Sequence, residues 1–180
     1  MAAEQIIERN DLDQLFEVLR DHGYTVVGPV ARDGAIQYDE IQSSADLPVG
    51  WTDEQDAGHY RLVRRDDEAL FGFVHGPRSL KRFQLPAEKL LWRAHLGSDG
   101  ELTDLTGPPE SAKIAYIGAR ACDLQGRQVL EHVLLSASSV DPGDAERAGG
   151  LLVISVNPSG MASVATTSLA ARSPGFEIWI

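Results

Sequence analysis

Ile117-Gly118-Ala119-Arg120-Ala121-Cys122-Asp123-Leu124 is where an apolar run gives way to a helical pattern. Working outward, Ile114 to Ile117 reads as a short apolar strand, Cys122 to Leu135 as a helix, and Leu151 to Val156 as a second apolar strand. Strand, helix and strand in that order make a βαβ unit, expected to be parallel and right-handed. Helical spacing turns Leu124, Val129, Val133 and Leu134 towards the sheet. The junction itself is a strand's carboxyl end followed by a helix amino terminus. Free N–H groups and the positive end of the helix dipole there favour a thiolate, and open α/β sheets place ligands at such points.

Upstream, Asn10-Asp11 caps a helix whose apolar residues Leu12, Leu15, Phe16 and Leu19 recur at helical spacing, with Gly23 as its left-handed stop. Tyr24 to Arg32 reads as a strand interrupted at Gly28-Pro29. Asp33-Gly34 is a two-residue turn signal, and Ala35 to Ile41 returns as the partner. Neither face of that return strand is cleanly apolar, which suits a sheet edge. Ser43 to Gly58 reads as a polar, turn-rich loop pinned by Trp51. Tyr60 to Arg65 and Ala69 to Val74 form a second expected hairpin around Asp66-Asp67-Glu68, ended by Gly76-Pro77. Pro86 to Trp92 fits a short helix with proline in its first turn, and Pro108-Pro109 marks a later loop. The expected class is α+β, a mixed α/β fold. It has an amino-terminal helix, antiparallel hairpins and a C-terminal βαβ unit, in one domain spanning residues 1–180.

The chain has 180 residues, enough for one core that removes roughly 70% of the unfolded surface from water. Its 43% hydrophobic content fits a soluble globular protein. No run approaches the ~20 apolar residues of a membrane span, and Met1 to Asn10 is too charged for a secretory signal. A net charge of −11 disfavours nucleic acid and anionic membranes as partners. A single cysteine excludes an internal disulfide and fits a reducing, cytoplasmic location.

Cys122 is the residue with the most chemistry, as a metal ligand, a nucleophile or a small hydrophobe at a helix start. Arg120 favours its thiolate and Asp123 opposes it. No histidine is spaced to serve it as a base, and His132 lies too far along the same helix. His22, His59, His75, His95 and His132 form no zinc spacing. Asp66-Asp67-Glu68 reads as a solvated turn, and Gly149-Gly150 precedes its strand, the wrong order for a phosphate fingerprint. Arg78, Lys81 and Arg82, alternating with Leu80 and Phe83, form either ordinary solvated charges or a docking surface.

Four co-linear stretches carry a family resemblance: Gly23 to Ile36, Asp46-Leu47-Pro48-Val49-Gly50-Trp51-Thr52-Asp53-Glu54-Gln55, Gly76-Pro77-Arg78-Ser79-Leu80-Lys81-Arg82-Phe83, and Gly118 to Leu124. Together they resemble the amino-terminal region of the iron–sulfur beta subunit of cytoplasmic sulfhydrogenases. They are similar also to the A subunit of anaerobic sulfite reductase. The resemblance spans about Leu12 to Val156. It implies an electron-transfer subunit that works between a flavin-containing, NAD(P)H-linked subunit and a hydrogenase or reductase subunit, using 4Fe-4S clusters. Cys122 matches a cluster cysteine in an Arg-x-Cys-Asp motif, and Arg120 would balance the charge of the cluster.

The family's other cysteines follow the last strand. Here Asn157 runs into Pro158-Ser159-Gly160, and Ala162 and Val164 stand at the two later cysteine places, while Pro174-Gly175-Phe176-Glu177 continues the pattern. Alanine and valine supply no donor. The ferredoxin-like half of the family is also expected to be missing. The resemblance therefore implies a truncated or degenerate relative, serving as a docking or scaffold domain, with no catalytic residues and no cofactor in the isolated chain. Alternatives are a cysteine-dependent enzyme using Cys122, or a metal centre shared with another chain.

Overall fold

A computed structural model describes residues 5–6, 8–74, 80–105, 112–136, 138–156 and 178–179. In chain order the elements are β1 (Gln5–Ile6), α1 (Leu12–Asp21), β2 (Tyr24–Arg32), β3 (Ala35–Glu40), β4 (Trp51–Asp56) and β5 (His59–Arg64). There follow α2 (Lys81–Gln84), β6 (Ala94–Leu96), β7 (Leu102–Asp104), β8 (Lys113–Ala119), α3 (Ala121–Leu135), α4 (Pro142–Gly150), β9 (Leu151–Ser155) and β10 (Ile178–Trp179). The fold is mixed α and β, as the sequence patterning predicts. His75, Gly76-Pro77, Arg78, Pro108-Pro109, Asn157 to Ala171 and Pro174 to Glu177 lie outside the described residues.

The central sheet has the order β3-β2-β8-β9. Strands β2, β8 and β9 run parallel, and β3 pairs antiparallel with β2 at the edge. The β2–β3 turn places Asp33 at φ 52 and Gly34 at φ 74, the double left-handed geometry whose twist suits a two-residue hairpin. Strand β2 continues through Gly28-Pro29 without a break. Its parallel pairing to β8 ends at Val27, so the N–H that Pro29 lacks breaks no bond on that side.

Alternation along the strands feeds two apolar layers. On one face, Leu12, Phe16 and Leu19 of α1 pack with Val26, Val30, Ile117 and Ile154. On the other, Val27, Tyr38, Tyr116, Leu151 and Val153 meet Leu80, Phe83 and Leu124. Each such side chain contributes about 1.5–3 kcal/mol on burial, which is why the short, amphipathic α1 stays helical.

Several local expectations are corrected. Trp51–Asp56 is a strand within the stretch read as a loop, and it pairs with His59–Arg64 across Ala57-Gly58. Ala69 to Val74 is no strand. The Asp67 carboxylate holds Arg65 by 2.6 and 2.5 Å bonds and accepts from the Ala69 N–H at 3.2 Å, so side chains close this turn in place of a ladder. Trp51 is only partly buried, with the Arg64 guanidinium 4.0 Å over its ring.

Pro86 to Trp92 is not helical. The single helical turn α2 precedes it and stops at Leu85, because a residue before proline is driven out of the helical region. In α3, Leu124 faces inward, but Val129 and Val133 are exposed. Arg127, buried at 3% exposure, sets that rotation. It donates to Glu131 at 2.6 Å and to the Leu151 carbonyl at 3.3 Å, and the second bond ties the helix to β9. Among the described residues, no helix is long and apolar enough to cross a membrane.

Candidate functional site

Strand β8 ends in an irregularity between Ile117 and Ala119, where Gly118 takes φ +89. A Cβ there would lie 3.0 Å from the Phe71 ring and 3.5 Å from the Tyr38 hydroxyl, so glycine is needed for both conformation and space. Its carbonyl accepts the Tyr38 hydroxyl proton at 2.9 Å. The extended backbone of Arg120 then caps α3. Its N–H donates to the Asp123 carboxylate at 3.0 Å, and its carbonyl accepts from Asp123 and Leu124 at 2.9 and 3.1 Å.

The two residues that one motif joins are sent to different surroundings. Cys122, in the first turn of α3, is exposed. It lines a groove of about 450 Å³ between α2 and α3, with Leu80, Lys81, Gly126, Val129 and Val133. Arg120 turns its Nε and Nη2 inward, where both are buried without a hydrogen-bond partner among the described residues. Its guanidinium carbon lies 5.9 Å from the centre of the buried Phe73 ring.

Beneath the first turn of α3 sit two fully buried tyrosines, Tyr38 and Tyr116, stacked at 4.4 Å and 15°. Phe83 of α2 meets Tyr116 edge-on at 5.7 Å. Burial pushes both phenols far above their ordinary range, and nearby Asp123 and Cys122 push the same way. The Arg120 charge pulls weakly against this at Tyr38. Both rings therefore stay protonated at neutral pH. The sequence reading missed this pair because each tyrosine sits in an ordinary strand pattern. Only the hydrogen-bonded return of β3 beside β2, and of β8 beyond it, stacks them.

His132 closes the opposite end of α3, where its Nδ1 lies 3.1 Å from the Ser136 hydroxyl. Ten residues of helix put it about 15 Å from Cys122, so it cannot serve that thiol. Among the described residues, no group of three or more His, Cys, Asp and Glu is placed to hold a metal ion. A four-iron cluster takes four thiolates or equivalents. The chain has one cysteine, so its residues do not fit a resident cluster of that kind. Lys81 and Arg82 are exposed, and Arg82 reaches the Tyr38 carbonyl at 3.4 Å. Compared with family models, curated proteins and solved structures, the chain matches none.

Proposed function

We propose that this chain is a cytoplasmic docking or scaffold domain related to the amino-terminal region of the iron–sulfur subunits of hydrogenase and sulfite reductase complexes. Its partners in this reading are a flavin-containing, NAD(P)H-linked subunit and a hydrogenase or reductase subunit. The observation that carries the proposal is the outer face of α3, where Val129 and Val133 are two-thirds exposed beside the groove that holds Cys122. Contiguous apolar surface of that kind, left open in a folded chain, is characteristic of protein contacts. The four motifs quoted above support the choice of partners.

The test is titration of the full chain against purified candidate subunits of both kinds. Binding that weakens at least tenfold in Val129→Glu with Val133→Glu, while the melting temperature holds, is the expected result. No measurable association with any such subunit would overturn the reading.

The exposure of Cys122 favours a second reading, in which this thiol completes a metal centre whose other ligands come from a partner chain. Iron that appears only in the anaerobic complex, and is lost in Cys122→Ala, would establish it. Nothing in the geometry favours a hydrolase, since no histidine lines the groove that holds the thiol.

A further inference from the structure

Gln84 of α2 is only 5% exposed, yet its carboxamide makes no hydrogen bond among the described residues. A carboxamide carries two donors and an acceptor, and buried side chains of this kind are nearly always satisfied. Gln84 lines the groove between α2 and α3, and Cys122, exposed in the first turn of α3, lines it too. The unmet amide and the only thiol of the chain therefore share one cavity of about 450 Å³. Small-molecule sites occupy roughly 300–1,000 Å³.

The lining says what chemistry fits. Leu80, Val129, Leu130 and Val133 give apolar walls that suit a methylene-bearing body. The Gln84 carboxamide, with donor and acceptor side by side, pairs with an amide group. Lys81 is exposed at the same groove and forms no ion pair among the described residues, so its charge is available to a carboxylate. The other charged groups of the lining are engaged by the fold. Asp123 accepts from the Arg120 N–H at the helix cap, and Arg127 pairs with Glu131. The thiol adds a handle for sulfur, because a thiolate exchanges with disulfides. A small, acidic, amide-bearing molecule with a sulfur–sulfur bond meets all of these groups at once.

We propose that the α2–α3 groove binds a small peptidic disulfide, held through its amide by Gln84, and that Cys122 exchanges with it to form a mixed disulfide. The Cys122 thiol first gives its proton to solvent. The thiolate then attacks one sulfur of the bound disulfide, a new sulfur–sulfur bond forms, the old one breaks, and the other half leaves as a thiolate. The ligand's own disulfide is the oxidant: Cys122 is oxidised and the departing sulfur is reduced. The site needs no docking partner and is tested in the chain alone, so failure of either reading leaves the other standing.

The experiment follows adduct formation on the full chain by intact mass, with glutathione disulfide as the probe. Hydroxyethyl disulfide, which has neither amide nor carboxylate, is the comparator. The rate should saturate with glutathione disulfide and stay linear with hydroxyethyl disulfide, with one adduct per chain that dithiothreitol removes. Cys122→Ala should take no adduct. Gln84→Leu should raise the half-saturating concentration about three- to tenfold, the worth of one neutral hydrogen bond. Gln84→Glu keeps the shape, which guards against misfolding of the first variant, and should weaken binding further by repelling the ligand carboxylate. Lys81→Met, at an exposed position, should raise the half-saturating concentration about two- to fivefold, and less at high salt. Absence of an adduct, a rate that stays linear with glutathione disulfide, or a half-saturating concentration unchanged in both Gln84 variants would overturn the proposal.

Discussion

In the four-stranded sheet, Ile36, Tyr38, Tyr116, Ile117 and Val153 are all 0% exposed, whereas Leu90, Leu91, Trp92, Leu96 and Leu102 are 60–72% exposed. The two regions do not differ in how apolar their residues are. They differ in what lies beside them. Strands β2 and β8 have hydrogen-bonded neighbours on both edges, with α1 over one face and α2 and α3 over the other. Hairpins β4–β5 and β6–β7 each pair only with themselves, and an isolated two-stranded hairpin is marginal in water. Burial follows from layering: Ile41, Leu47, Phe73 and Leu80 of the excursion between β3 and β8 reach the core, whereas Leu90, Leu91, Trp92, Leu96 and Leu102 have no layer over them among the described residues.

The contrast is most sharply tested in the sheet. Phe16→Ala should cost about 3–5 kcal/mol, because the side chain is fully buried and the cavity cannot close; urea unfolding reads the loss directly. A cost under 1 kcal/mol would mean that the α1 layer is not what holds the sheet. Gly118→Ala should cost about 1–3 kcal/mol from its positive φ, with the contact to Phe71 adding to it. It should also disturb the Tyr38 hydroxyl contact, seen as a change in the near-ultraviolet circular dichroism of the tyrosines.

In the excursion the same kind of change should be nearly silent. Leu91→Ser is expected to alter unfolding free energy by no more than about 0.5 kcal/mol, as for other exposed sites. A large loss would show that this segment is packed after all. The smallest effect belongs to Asp67, whose pairing with Arg65 holds its carboxyl down at about 2 from 3.8. A depressed carboxyl stabilises the fold above its unfolded value, and that help is lost as pH falls through the folded one. Melting curves of the parent and Asp67→Asn should therefore differ slightly at neutral pH and converge between about pH 4 and 2. The pair is exposed, so screening by salt should shrink even that difference.

The comparison also explains which features were legible. Tyr24 to Arg32, the Asp33-Gly34 turn and the βαβ unit could be read because each carries its own local signal: periodicity, a left-handed turn pair, or an apolar run between breakers. The hairpin at Trp51 could not, because Asp53, Glu54, Gln55 and Asp56 carry no alternating apolar face. Pro86 to Trp92 misled because a proline in the first turn permits a helix but does not hold one where no surface waits to be covered. At the candidate site, Cys122 and Arg120 stood out by residue type, while Tyr38 and Tyr116, 78 residues apart by their numbers in the chain, did not.

The sequence by itself determined the class of fold, the ends of its strongest strands, and the supply of only one thiol for metal or redox chemistry. Tertiary structure decided the rest: that Arg127 turns Val129 and Val133 outward, that Cys122 faces a groove, and that Arg120 turns inward towards the Phe73 ring. The reason is physical. Local propensity acts over a few residues and is written in the chain. The direction of a side chain depends on which distant strand or helix occupies the space beside it.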